Sequence, residues 1–123
     1  MIVNSSERVE AFQADTGEPL WYYNVPHRFA VPMPVFHDGI IYLNRGYRSS
    51  PVLAIRPGGR GDITNTHVSW NVGAGAPYVS SLVYQDGLLF YVTEQGIATC
   101  LDAKSGDRVW QERIGGVYSA SPV

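Results

Sequence analysis

Cysteine is nearly absent from this 123-residue chain: Cys100 stands alone. One thiol closes no internal disulfide and builds no cysteine-based zinc site. Charge is sparse too. Lys and Arg number 9, Asp and Glu number 11, and charged residues make up 16%, against roughly 25% in ordinary soluble domains. A net charge of -2 supplies no basic field for a nucleic-acid backbone, which argues against that class of partner. No apolar run nears the roughly 18 residues that a membrane helix needs. No stretch repeats its apolar residues with a helical period. The opening Met1-Ile2-Val3-Asn4-Ser5-Ser6 turns polar at once, so no signal peptide is expected. What the chain does have is 13 glycines, 8 prolines and 15 aromatic residues within a 45% hydrophobic composition. Disorder is therefore excluded, and many short strands joined by turns are expected.

Two segments share one turn chemistry. Val35-Phe36 and Ile40-Ile41-Tyr42-Leu43 flank His37-Asp38-Gly39, and Leu82-Val83-Tyr84 and Leu88-Leu89-Phe90-Tyr91-Val92 flank Gln85-Asp86-Gly87. An Asp-Gly between apolar runs predicts a hairpin, because the tight turn needs positive φ. A second turn also recurs. Ala14-Asp15-Thr16-Gly17 leads to Leu20-Trp21, and Ala103-Lys104-Ser105-Gly106 leads to Val109-Trp110. Asp15 and Asp102 are expected to cap these turns through local side-chain-to-backbone bonds.

The turns keep a long period. Trp21 to Trp70 is 49 residues, Trp70 to Trp110 is 40, and Gly39 to Gly87 is 48. A period of about 40–50 residues with four strands per unit is the signature of a β-propeller blade. Strand A is a Ser/Pro-Val segment, strand B follows Asp-Gly, strand C ends before a turn, and strand D ends on tryptophan. The expected fold is all-β, about three circularly offset blade equivalents. Residues 1–26 end one blade, 27–74 form a second, 75–114 a third, and 115–123 supply the first strand of a next one. About twelve strands result, the last being Val117 to Val123. Three blades close no ring alone, since propellers typically have four to eight.

Ala11-Phe12-Gln13-Ala14-Asp15-Thr16-Gly17-Glu18-Pro19-Leu20-Trp21 resembles the tryptophan-docking repeat of pyrroloquinoline-quinone (PQQ)-type propellers, small-x-Asp-x-x-Thr/Ser-Gly-x-x-x-Trp. Cys100-Leu101-Asp102 through Trp110 matches in the same register and keeps the Asp, where the first copy has Gln13. The middle copy, Ala54-Ile55-Arg56 through Trp70, keeps the ends and enlarges the turn into residues 56–67. The chain is thus similar to bacterial PQQ-like repeat proteins, as a piece of about three blades. The resemblance implies that Trp21, Trp70 and Trp110, with Gly17, Gly106 and Asp102, dock blade on blade. Trp110 is expected to lie against a neighbouring blade, under about a fifth exposed, with Trp110→Ala costing roughly 3–5 kcal/mol.

Other candidates read as structural. His27, His37 and His67 lie in three loops without metal spacing. Asp62, Thr64 and Asn65 lack the bidentate acid of a calcium loop. Asn4-Ser5-Ser6 has the form of a glycosylation sequon but reads as a turn. Gly73-Ala74-Gly75-Ala76-Pro77 lacks a strand-then-helix setting for phosphate and reads as a blade link. Cys100 fills a strand as a small apolar residue. No catalytic, cofactor-binding or metal residue is assigned. The enlarged loop is the candidate binding element, through Arg56, Arg60, Asp62, Asn65 and His67. It is expected to lie on one propeller face, away from the blade stack.

The expected function is a non-catalytic propeller module, a scaffold or protein-binding surface in a bacterial secreted or periplasmic protein. It needs no cofactor. Its partners would be another protein or further copies of itself, joined as a homo-oligomer through a composite blade, or the rest of a longer propeller. The alternative is a piece of a PQQ-dependent dehydrogenase. The family resemblance would then imply PQQ and calcium, but the acidic base, metal set and Cys-Cys pair of such enzymes find no match here.

Overall fold

The structure is a computed structural model describing residues 1–47 and 51–123. Its strands are β1 (Ile2–Asn4), β2 (Val9–Phe12), β3 (Pro19–Tyr23), β4 (Val35–His37), β5 (Ile40–Asn44) and β6 (Val52–Ile55). They continue with β7 (Gly61–Asp62), β8 (Val68–Val72), β9 (Val83–Gln85), β10 (Leu88–Val92), β11 (Ile97–Asp102) and β12 (Arg108–Arg113). Three four-stranded sheets form, in the orders β1-β2-β3-β7, β4-β5-β6-β8 and β9-β10-β11-β12. These are about three propeller blades. No helix occurs among the described residues, so none is long and apolar enough to cross a membrane.

The Asp-Gly signals act as expected. Asp38 and Gly39 take φ 47° and 75°, and Asp86 and Gly87 take 48° and 82°. They close β4 onto β5 and β9 onto β10 as antiparallel hairpins. Each C strand also carries one bulge, at Ala11/Phe12, Ala54/Ile55 and Cys100/Leu101. In each case a small residue faces a tryptophan: Ala11 pairs Trp21, Ala54 pairs Trp70 and Cys100 pairs Trp110. A bulge re-aims the strand beside it, and here it recurs next to every indole.

Strand alternation builds two cores from the middle blade. Ile41, Leu43, Leu53 and Ile55 face the first blade and meet Val9, Ala11, Trp21 and Tyr23. Tyr42, Val52 and Ala54 face the third and meet Leu82, Leu89, Tyr91 and Leu101. A strand buried on both faces loses the polar half of its pattern, which explains the continuous apolar run at Val52–Ile55.

Repeat-equivalent polar groups tie the blades together. The Asn4 side chain donates to Pro32 O at 3.0 Å, and Asn44 donates to Ser80 O at 3.2 Å. The Met33 N–H donates to Ser81 Oγ at 2.9 Å, and the Ser81 N–H donates to Ser121 Oγ at 2.9 Å. Each bond repeats one blade later because the sequence repeats there.

Two expectations are corrected. Residues 117–123 form no strand; the Ser121 bond holds the segment beside the third blade, but it lies in no sheet there. The twelfth strand is instead β7, inside the enlarged loop. That loop does not stand away from the blade stack. Gly61 and Asp62 pair in parallel with Trp21 and Tyr22 of β3, and Ile63 is 1% exposed within the first core. The cause is apolar burial beside a strand edge left open. The first sheet thus has its fourth strand at the outer edge, beyond β3, and β1 ends it on the other side.

Candidate binding site

The seam between the second and third blades starts at Trp70. Its ring N–H donates to Ala103 O at 3.0 Å, giving a partly buried indole the one partner it needs. A Cβ on Gly106 would lie 2.7 Å from Trp70 Cδ2, and Gly106 has φ 78°. Glycine is required there twice over, for the conformation and for the indole's approach. Asp102 fixes this turn. Its Oδ1 accepts from the Lys104 and Ser105 N–H groups at 2.9 Å each and from Ser105 Oγ at 3.2 Å. These bonds, the Ser105 N–H foremost, hold its carboxyl below the usual range.

The first turn shows what the Gln13 departure does. Its backbone bonds match those of the last: Gln13 N–H to Glu18 O at 2.8 Å, and Gly17 N–H to Gln13 O at 2.9 Å. The Thr16 hydroxyl accepts from the Glu18 N–H at 3.2 Å. Contrary to expectation, no hydrogen bond among the described residues reaches the Asp15 carboxylate. In this register Gln13 stands where Asp102 does, so Asp15 falls two places past the capping position, inside the turn. Gly17, φ 73°, has open space where a side chain would begin.

The other docking candidates differ. Trp21 is 4% exposed in the first core. The enlarged loop replaces the tight turn it would meet, and its wall is shared with Pro57, Gly58 and Arg60. Trp110 is 42% exposed, well above the fifth expected, because β12 is the outermost strand of its sheet and no further blade covers it among the described residues. Phe90 lies beside it at 6.2 Å between ring centres. Cys100 is buried behind that pair. Burial first, and then the Asp102 charge, push its thiol up, which makes it a poor nucleophile.

The loop residues are spread out. Arg56 donates to Thr66 O at 3.0 Å and its N–H to His67 O at 2.8 Å, closing the loop base. His67 Nδ1 meets Thr66 Oγ1 at 2.7 Å. Asp62 Oδ1 accepts from the Thr64 hydroxyl at 2.6 Å and its N–H at 2.9 Å, and these bonds lower its carboxyl. Arg60 and Asn65 are exposed. Thr64 and Ile63 bind back to the first blade, at the Asn24 N–H (2.8 Å) and at Tyr22 O (2.9 Å). No group of three or more His, Cys, Asp or Glu able to hold a metal occurs among the described residues.

Two features escaped the sequence reading. Arg45 is fully buried, donating to Asn4 Oδ1 and, at 2.8 Å, to Val25 O. Its position at the end of a strand gave no sign of burial. The second is a cleft of about 480 Å³ along the Trp70 seam, walled by Tyr42, Tyr84 and Trp70 and rimmed by Asp38, Asp102 and Lys104. Its rings come from three different strands, so no local motif announced it. A cleft of this size falls in the range of small-molecule sites.

The repeat and the three sheets find their counterpart in known proteins. A family model described as "Outer membrane protein assembly factor BamB" matches residues 5–120. The chain belongs to this PQQ-like β-propeller family. Among curated proteins it is 30% identical to the tetrathionate hydrolase of Acidithiobacillus ferrooxidans over 96% of this chain and 24% of that protein. Among solved structures, BamB from Moraxella catarrhalis superposes with a TM-score of 0.67 at 19% identity, covering 90% of this chain and 31% of that one. A europium-containing methanol dehydrogenase superposes at 0.56 with 20% identity, covering 72% and 17%. At these identities the two structures show the shared fold alone. The chain spans about a quarter to a third of the first two relatives.

A pH effect follows from the Asp102 turn. A carboxyl held low stabilises the fold above its unfolded pKa, and that contribution is lost as pH falls through the folded pKa. Asp102→Ala is therefore expected to lower the urea midpoint near neutrality and to converge with the wild type in acid. Equal gaps at both pH values would remove the charge from the turn's stability.

Proposed function

We propose that this PQQ-like propeller segment is a non-catalytic scaffold, presenting a protein-binding surface in a bacterial secreted or periplasmic protein. The observation that carries it is the outer flank of the third blade. Every residue of β12 is exposed, including Val109 and Trp110, and Ile114 and Val117 extend the apolar surface. An exposed strand edge with large apolar side chains is a surface for another chain or for a further blade of the same propeller. The family description, an outer membrane protein assembly factor, supports both the scaffold role and the compartment. The partner is a protein, a second copy of this chain included. Light scattering near twice 13.6 kDa would identify the second copy.

The alternative is an enzyme propeller, such as that of a PQQ-dependent dehydrogenase. The name of the hydrolase relative favours an enzyme. Isothermal titration of the chain with PQQ and calcium separates the readings. No heat of binding is expected, and micromolar binding would overturn the scaffold proposal.

A further inference from the structure

We infer that the cleft between the second and third blades is a cation site, shaped for the guanidinium or ammonium group of a basic side chain on a partner protein. The source of the cation rests on the scaffold reading; the chemistry of the site does not.

The walls are aromatic. Tyr84 stacks on His37 with ring centres 3.8 Å apart and lies 5.8 Å from Tyr42, which in turn lies 6.1 Å from Trp70. Aromatic faces attract cations through their quadrupole, most strongly where water is displaced. The rim is acidic. Asp38 and Asp102 line the cleft against one cation, Lys104, and Asp86 sits in the twin hairpin turn next to Tyr84. Asp38 also meets His37 Nε2 at 3.5 Å. The capping bonds of Asp102 all fall on Oδ1, so its second oxygen is left for a ligand.

Tyr42 is the independent sign of a ligand. It is 4% exposed, lines the cleft, and its hydroxyl takes no hydrogen bond among the described residues. The hydroxyl is not among the sealed polar atoms without a partner, so it opens onto the cleft, where a ligand can reach it. Burial first, then the charges of Tyr84, Asp38 and Asp102, raise its pKa, so both carboxylates act on this hydroxyl. An anion would be repelled here. A guanidinium would donate to the Tyr42 hydroxyl and the two carboxylates inside an aromatic-walled cleft.

Titration of the full chain by two-dimensional NMR tests the site, with N-acetyl-arginine amide as probe and N-acetyl-citrulline amide as its uncharged isostere. The arginine amide is expected to shift the Tyr42 and Tyr84 amides and the Trp70 ring N–H, with the citrulline amide at least about tenfold weaker. The double variant Asp38→Asn/Asp102→Asn is expected to lose the arginine preference. Both positions accept asparagine, which tolerates the positive φ of residue 38 and keeps the turn bonds of residue 102. Equal affinity for the two amides, absence of binding, or an unchanged double variant would overturn the site. Partner binding that survives the double variant would overturn the partner protein as the source of the cation. Arginine binding by a chain that captures no protein would sink the scaffold alone.

Discussion

Replacing Trp21 by alanine is expected to lower the unfolding free energy by about 3–5 kcal/mol, the range for deleting a large buried aromatic. The indole is 4% exposed and packed among Ile41, Leu53, Ile55 and Ile63. It therefore ties the first blade, the second blade and the enlarged loop together, and its removal opens a cavity that three backbones border. A rigid sheet on each side limits collapse into that space, which favours the upper half of the range. Trp110→Ala is the internal comparison. With 42% of its surface in solvent, it is expected to cost roughly 1 kcal/mol in the isolated chain. Urea denaturation of both variants checks the order. If Trp110→Ala loses as much as Trp21→Ala, β12 is covered in solution and the expectation of a docked indole there gains support.

What could be read from residues alone was whatever the backbone or a fixed spacing enforces. Asp38-Gly39 and Asp86-Gly87 force positive φ, so both hairpins were legible. The three tryptophans recur with their small partners, so the blades were legible too. Pairing over long distances was not. Gly61-Asp62 carries no strand signal, and its partner β3 lies about forty residues away, so β7 could not be foreseen. Ser121-Pro122-Val123 looks like the start of Pro34-Val35, yet a strand needs a ladder partner, and none lies beside it among the described residues. The cleft was hidden for a related reason. Tyr42 and Tyr84 each read as ordinary strand aromatics; only the packing of adjacent blades sets their rings 5.8 Å apart between two aspartates. Arg45 illustrates a different limit. Alternation identifies apolar faces, and it gives no warning when a guanidinium is buried against Asn4 and Val25.

Excising Gly58–Asn65 from the enlarged loop is expected to destabilise the chain by at least about 3 kcal/mol, the lower range for emptying a buried aliphatic site and uncovering its neighbours. A loop on an open face would tolerate the deletion, since loop length itself changes closure entropy little. This loop is different in kind. Ile63 is 1% exposed inside the first core, its N–H donates to Tyr22 O at 2.9 Å, and Thr64 accepts from the Asn24 N–H at 2.8 Å. Deletion removes all three attachments, strips β7 from β3 and leaves the Trp21 pocket short of a wall. The point variant Ile63→Ala separates packing from pairing: it keeps β7 and is expected to account for roughly 2–3 kcal/mol of the loss. Arg60→Ala and Asn65→Ala, both exposed, are expected to stay within about 0.5 kcal/mol of the wild type. A deletion variant that melts with the wild type would return the loop to the surface and to a purely binding role. A deletion that unfolds while Arg60→Ala and Asn65→Ala remain stable leaves those two exposed side chains free to bind a partner on a loop whose inner half is core.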